Sequence, residues 1–262
     1  MTEQQICFDD GATYERMMGK WSRLAGEVFL DWLAPPSCMR WVDVGCGNGA
    51  FTELLVERYA PNSLQGIDPS EEQLAFARTR PAARVAQFSQ GDAMALPFPD
   101  DNFDVAVMAL VIFYVPDPAK GVAEMVRVVC PGGTVAAYAW DILGGGLPFA
   151  AMVPEVRAAG ITPRLPPCVG ASRLDAMCEL WTGAGLGAVE TREVSVQRTF
   201  ADFDDLWTTL LATPGVGPQV AAMAAGDVEL LKARARVCLP ADDTGRITCS
   251  ARANAVKGRV PK

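Results

Sequence analysis

The chain has 262 residues, a formal net charge of −8 and no histidine, and 50% of its residues are hydrophobic. This composition predicts a packed globular protein and argues against a nucleic-acid backbone as the main partner, because such partners bind basic surfaces. With no histidine, no zinc spacing among the eight cysteines and no apolar run long enough to span a bilayer, we expect no metal, no membrane span and a cytoplasmic protein with reduced cysteines.

Residues 14–33 carry apolar side chains at helical spacing, and Pro35 and Pro36 end that pattern. Two interpretations are open for this segment. It is either a helix that docks on the core or a lid whose first turn, at 14–22, reaches a ligand.

Strands and helices alternate at short spacing from residue 40 to residue 140. The strands are predicted at 41–44, 64–67, 84–89, 103–110 and 134–140, with helices at 50–60, 71–79 and from Pro118 to about residue 130. This alternation predicts a doubly wound α/β fold with a mostly parallel sheet and helices on both faces.

The regular alternation fades after Trp140. Strands are predicted at 189–200 and 246–256, with helices at 173–184, 202–212 and 227–237. The two late strands predict a hairpin-like addition to the edge of the sheet. We expect the segments 141–170 and 200–240 to cover a pocket and to select the substrate.

A glycine turn follows the first strand, with the sequence Gly45-Cys46-Gly47-Asn48-Gly49-Ala50. Glycine permits positive φ and leaves no Cβ between the backbone and a ligand. The turn fits the dinucleotide fingerprint G-x-G-x-x-A, and it also fits G-x-G-x-G preceded by an acid. Taken alone, it does not decide between the two.

An acidic residue lies at or near the end of each of the first three strands, namely Asp43, Asp68 and Asp92. Asp43 would repel a pyrophosphate but would suit a ligand with an ammonium group. Asp68 can accept hydrogen bonds from both hydroxyls of a ribose, and Asp92 can accept one from an adenine amino group. A cationic nucleoside without phosphates satisfies all three acids, and S-adenosylmethionine is such a molecule.

Four motifs in residues 40–141 resemble those of class I S-adenosylmethionine-dependent methyltransferases, most closely the ubiquinone/menaquinone-biosynthesis group. They are Val-Asp-Val-Gly-Cys-Gly-Asn-Gly, Gly-Ile-Asp-Pro-Ser, Gly-Asp-Ala-Met-Ala-Leu-Pro-Phe-Pro-Asp-Asp-Asn-Phe-Asp-Val and Arg-Val-Val-Cys-Pro-Gly-Gly. The resemblance implies a Rossmann-like, seven-stranded sheet with an antiparallel last strand. It also implies one methyltransferase domain over 1–262, with a helical lid at 1–36, a cofactor core at 37–141 and substrate-covering segments with the last two strands at 142–262.

The resemblance also implies which residues bind S-adenosylmethionine. Asp43 and Gly45 would lie near the methionine ammonium, Asp68 at the ribose, and Ala109 and Leu110 at the methionine end. The full predicted set of cofactor-binding residues is Tyr14, Trp21, Asp43, Gly45, Cys46, Gly47, Gly49, Asp68, Pro69, Gln73, Asp92, Ala93, Met94, Ala109 and Leu110.

Many relatives carry a histidine pair after the fourth strand, where this chain has Phe113 and Tyr114. We take these two aromatic residues and Trp140 as candidates for the substrate wall, although ordinary aromatic packing explains each of them equally well. No catalytic residue is assigned.

The expected function is methyl transfer from S-adenosylmethionine to a small-molecule acceptor by in-line displacement without a histidine base, with S-adenosylhomocysteine as the product. Two alternatives remain. One is a non-catalytic protein that binds the cofactor, and the other is an NAD(P)-dependent oxidoreductase, which Asp43 disfavours.

Overall fold

The computed structural model describes residues 18–162, 165–213 and 216–262. Seven strands form one sheet in the order β3-β2-β1-β4-β5-β7-β6. Their bounds are β1 (Arg40–Val44), β2 (Ser63–Asp68), β3 (Ala86–Gln90), β4 (Phe103–Ala109), β5 (Val129–Trp140), β6 (Gly187–Phe200) and β7 (Ile247–Arg259).

Nine α-helices lie within the described ranges, together with short 3-10 turns. They are α1 (Lys20–Leu33), α2 (Ala50–Tyr59), α3 (Glu71–Ala77), α4 (Pro118–Val128), α5 (Val153–Ala158), α6 (Leu174–Gly183), α7 (Phe203–Leu211), α8 (Gly217–Ala221) and α9 (Ala225–Cys238). Within these same ranges, no helix combines the length and the apolar character needed to cross a membrane.

Strands β1 to β5 pair in parallel, and β7 runs antiparallel to both of its neighbours, β5 and β6. The doubly wound fold with a seven-stranded, mostly parallel sheet is therefore confirmed, as is the antiparallel last strand. The central strand β4 is nearly continuous in apolar residues and buried, as expected of a parallel strand covered on both faces.

Some predicted boundaries were wrong. Strand β3 begins at Ala86, two residues later than predicted, because Pro81 opens a 3-10 turn that extends to Arg84. Helix α4 ends at Val128, and β5 begins at the next residue. The short helices α5 and α8 were not predicted because five or six residues are too few to show a periodic pattern.

Helix α1 docks on the core along two neighbouring stripes of buried residues. Trp21 and Phe29 are fully buried, whereas Leu24 and Val28 lie at the margin. The second stripe includes Gly26, where an added Cβ would lie 3.0 Å from a methyl group of Leu54. This glycine lets α2 approach α1 closely.

Strands β6 and β7 continue beyond the carboxyl edge of the sheet. Trp140 at the end of β5 pairs with Ala253, which in turn pairs with Val194. From that level the two strands pair only with each other, as far as Phe200 and Ile247. We call this projecting hairpin, residues 195–200 and 247–252, the β-arm. It places the helices α7 to α9 beyond the edge where the first four strands end.

Candidate functional site

The glycine turn is held against the end of β2 by backbone hydrogen bonds. The amides of Gly45 and Cys46 both donate to the carbonyl of Ile67, at 2.7 and 3.0 Å. All three glycines of the turn have positive φ, at 76° for Gly45, 52° for Gly47 and 79° for Gly49. The backbone at these three positions therefore adopts the positive φ for which glycine was predicted.

The three glycines have different surroundings. A Cβ on Gly45 would lie 2.5 Å from both methyl groups of Val111, because the turn packs against the segment after β4. A Cβ on Gly49 would contact Ala77 at 3.1 Å. A Cβ on Gly47 would meet no atom within 4 Å. Gly47 thus borders open space, as a backbone that cradles a ligand must.

Asp68 joins the end of β2 to the glycine turn. Its Oδ2 accepts a hydrogen bond from the Gly47 amide at 2.8 Å, and its Oδ1 accepts one from the Ser70 amide at 2.9 Å. Burial raises the pKa of Asp68, and these two amide hydrogen bonds oppose that shift. Since each carboxylate oxygen has two lone pairs, both retain capacity to accept a further donor.

Asp43 is fully buried on β1, beside the glycine turn. Its Oδ2 accepts a hydrogen bond from the Thr52 hydroxyl at 2.7 Å, whereas Oδ1 is buried with no partner among the described residues. Burial raises the pKa of Asp43 to about 7, and the nearby charge of Asp68 adds to this shift. A buried acceptor without a donor is costly, so Asp43 fits a ligand that supplies a positively charged donor.

The residues after β3 form a tight turn on the surface. The carboxylate of Asp92, which is exposed, accepts a hydrogen bond from the Met94 amide at 2.8 Å, and the Asp92 carbonyl accepts one from the Ala95 amide at 3.0 Å. The Met94 amide, which was expected to face adenine, is therefore already engaged by Asp92. Ala93 lies between them and is half-buried.

The residue after β4 has a strained backbone conformation that the sequence did not predict. Leu110 has a φ of 64°, a conformation that costs a non-glycine residue energy and that clusters at functional sites. Its amide donates to the carbonyl of Tyr138 at 2.8 Å. Ala109 and Leu110 therefore lie where β4 and β5 end, next to the segment that contacts Gly45.

Other predicted residues surround this edge of the sheet. Cys46 and Gln73 are buried, and Pro69 is exposed with its carbonyl accepting a hydrogen bond from the Gln90 amide group at 2.9 Å. Burial raises the pKa of the Cys46 thiol well above its usual range. Tyr14 lies outside the described residues, so its predicted role stays a prediction.

Two further residues support the glycine turn, and no sequence signal pointed to them. Arg80 donates from Nε to the carbonyl of Asn48 at 2.6 Å and from Nη1 to Glu53 at 2.8 Å. Thr52 orients Asp43, as described above. Arg80 and Thr52 belong to none of the sequence motifs, and their partners are separated from them along the chain. Only the structure therefore identifies these two supporting residues.

An aromatic face lies on the α1 side of β5 and the β-arm. It comprises Trp21, Tyr138, Trp140, Phe149 and Phe200. The rings of Trp21 and Phe149 meet edge to face at 6.1 Å, and Phe149 lies 5.7 Å from Phe200. Register places Tyr138, Trp140 and Phe200 on one side of the sheet, because directly paired residues share a face.

Three polar atoms on this face are buried without a partner among the described residues: Trp21 Nε1, Ser22 Oγ and Trp140 Nε1. Trp21 is fully buried near the start of α1, and its predicted contact with the cofactor stays a prediction. Phe113 and Tyr114 lie in a 3-10 turn after β4, where their rings meet edge to face with centroids 4.7 Å apart.

Comparison with known proteins shows which proteins this chain resembles. Residues 42–137 match the family model described as a methyltransferase domain. The chain is 43% identical over 95 residues to 2-methyl-6-phytyl-1,4-hydroquinone methyltransferase 2, chloroplastic, of Oryza sativa subsp. japonica, covering 36% of this chain and 27% of that protein. It is 38% identical over 103 residues to demethylmenaquinone methyltransferase of Roseiflexus castenholzii, covering 39% of this chain and 43% of that protein.

The chain therefore spans less than half the length of these curated relatives. Among solved structures, phosphoethanolamine N-methyltransferase 2 of Haemonchus contortus in complex with S-adenosyl-L-methionine superposes with a TM-score of 0.57 at 17% identity, over 96% of this chain and 57% of that chain. That likeness shows a shared fold. The resemblance to class I methyltransferases of the quinone-biosynthesis group is confirmed by the domain match and the curated relatives.

Proposed function

We propose that this chain, whose residues 42–137 match the model of a methyltransferase domain, transfers a methyl group from S-adenosylmethionine to a small aromatic acceptor. The observation that carries this proposal is the pairing of two buried acids, Asp43 and Asp68, around a glycine turn with open space at Gly47. The turn presents no basic side chain of its own, so it suits a cationic ligand better than a pyrophosphate.

The residues at this edge fit the cofactor part by part. Asp68 accepts from the ribose hydroxyls with its remaining lone pairs, and Asp43 provides a negative charge for the methionine ammonium. Asp92 accepts from the adenine amino group with the carboxylate oxygen that Met94 does not use. Leu110 and Ala109 border the methionine end.

When bound, S-adenosylmethionine supplies an electrophilic methyl group on a sulfonium. The protein's part is to hold the acceptor atom in line with that methyl and to exclude water, a positioning effect of roughly 7–11 kcal/mol in model systems. The chain has no histidine to remove a proton. An acceptor that ionises easily or is nucleophilic without ionising, as an electron-rich hydroxylated ring is, needs no histidine base.

The aromatic face supports an acceptor of this kind. Flat rings such as Trp140 and Phe149 suit a planar ring. The unpartnered indole N–H groups of Trp21 and Trp140 can donate to ring oxygens. Hydroquinone methyltransferases are among the relatives, but the match to one of them covers only 36% of this chain. The proposal of a hydroquinone-type acceptor therefore depends on the aromatic face. It is consistent with the names of these relatives.

Methyl transfer from labelled S-adenosylmethionine tests this function directly. The acceptor panel contains two hydroquinones, one of which is reduced menadione, together with a catechol. Ethanolamine is the non-aromatic control. We expect label in a hydroquinone and none in ethanolamine. Cofactor binding without transfer to any acceptor would favour the non-catalytic alternative, and transfer to ethanolamine alone would reject the aromatic acceptor.

A further inference from the structure

A cavity that is open to solvent lies on the side of the sheet opposite the aromatic face. It has a volume of about 630 Å³. Thr191, Glu193 and Asn254 from β6 and β7 line it, as do Leu174 and Cys178 from α6 and Leu143 from the loop after β5. Asn254 pairs with Glu193 across β6 and β7, so the two side chains share a face. Since Trp140 pairs with Ala253, the neighbouring residue Asn254 points away from the aromatic face.

Asn254 is 2% exposed and contributes to the cavity wall. Its Nδ2 donates to the carbonyl of Ser172 at 2.9 Å, which fixes the orientation of the side-chain amide. Its Oδ1 is buried and accepts from no partner among the described residues. A buried carbonyl oxygen is ordinarily hydrogen-bonded, so this position calls for a donor that the described chain does not provide.

The charges around the cavity favour a cation. Three acids line it, Asp141, Asp175 and Glu193, against one base, Arg173. Arg173 and Asp175 pair with each other, and Asp141 pairs with Arg252 at 2.5 Å. Glu193 has only a long contact of 3.7 Å with Arg252 and a side chain that is 56% exposed. Its carboxylate is therefore the least closely paired of the three acids.

We propose that this cavity binds an organic ammonium ion, a short aliphatic amine. One ammonium N–H donates to Oδ1 of Asn254, the positive charge lies near Glu193, and the aliphatic part contacts Leu143 and Leu174. No residue that lines this cavity belongs to the predicted cofactor-binding set, so the proposal does not depend on the proposed methyl transfer.

Putrescine and 1,4-butanediol test the proposal, because the two molecules have the same chain length and differ in charge. Cys178 lies in the cavity wall, and its rate of alkylation, followed by peptide mass spectrometry, reports occupancy without any assay of activity. We expect putrescine to slow the alkylation of Cys178 at least threefold and butanediol to leave it unchanged. Alkylation of Cys38, which is exposed elsewhere, should not respond to either.

Glu193→Gln should weaken the protection by putrescine at least threefold. The matched control is Glu190→Gln, on the same strand, where the carboxylate pairs with Lys257 at 3.3 Å and lies outside the cavity lining. Asn254→Leu should abolish protection. If that variant does not fold, the comparison of Glu193→Gln with Glu190→Gln tests the proposal. Equal protection by the diol, equal behaviour of the two glutamate variants, or protection by succinate instead of putrescine would overturn the proposal.

Discussion

The Gly47 amide donates to Oδ2 of Asp68 at 2.8 Å, which ties the glycine turn after β1 to the end of β2. One carboxylate therefore shapes the backbone cradle and faces the position assigned to the ribose. Asp68→Asn keeps one side-chain oxygen as an acceptor for the Ser70 amide, so removing the charge should affect ligand binding more than folding.

Asp68→Asn should weaken binding of S-adenosylmethionine about 10- to 100-fold, since hydrogen bonds to a charged group contribute about 1.5–3 kcal/mol. Calorimetric titration measures the affinity. Asp100→Asn, in an exposed carboxylate far from the turn, is the control. An unchanged affinity in Asp68→Asn would remove this residue from the cofactor site.

Gly47→Ala should separate ligand contact from backbone strain. Alanine at positive φ costs about 1–2 kcal/mol, or a few degrees of melting temperature. Gly245→Ala is the matched control, because Gly245 has a φ of 84° and open space around it, in the turn before β7. Both variants should lose similar stability, and only Gly47→Ala should lose affinity for S-adenosylmethionine. If the two bind the cofactor equally well, no ligand lies against Gly47.

Gly45→Ala should instead destabilise the fold itself. Its new methyl group would lie 2.5 Å from Val111, in addition to the cost of the positive φ. We expect a larger fall in melting temperature than for Gly47→Ala, measured by calorimetry in the absence of ligand. The double variant with Val111→Ala should recover part of the loss, and no recovery would contradict this packing.

The pKa of Asp43, about 7 in the folded protein, predicts a pH-dependent stability. This value lies above the ordinary 3.8, so the unfolded chain releases the proton first as pH rises. The contribution of Asp43 to stability is therefore lost between about pH 4 and pH 7 and is constant above that window. Asp43→Asn cannot ionise. Its stability relative to the unmodified protein should increase across that window by on the order of 4 kcal/mol, measured by urea unfolding at each pH.

Binding of S-adenosylmethionine should be linked to the same proton. The cofactor ammonium favours ionised Asp43, so affinity should rise from pH 6 to pH 8, and binding at pH 6 should release a proton. Calorimetric titration in two buffers of different ionisation enthalpy measures that proton release from the difference in binding heat. An equal release in Asp43→Asn would show that the proton comes from another group.

The sequence was sufficient to predict the strand and the glycine turn at residues 41–50, because these elements are local. The run 41–44 with the following glycines predicts a strand and a turn, and the pairing of β7 between β5 and β6 agreed with the family resemblance. The supports of the site were not predictable. Thr52 reaches Asp43, and Arg80 reaches Asn48, only after the chain has folded. The positive φ of Leu110 also lacks a signal, because leucine rarely adopts it.

Thermal unfolding with S-adenosylmethionine, and with NADH as the control, tests the central claim most directly. At 100-fold its dissociation constant a ligand adds about 2.7 kcal/mol, which for a chain of this size raises the melting temperature by roughly 5–10 °C. We predict this rise with S-adenosylmethionine alone and its loss in Asp68→Ala. A rise with NADH alone, or an equal rise in Asp68→Ala, would contradict the assignment of this edge to S-adenosylmethionine.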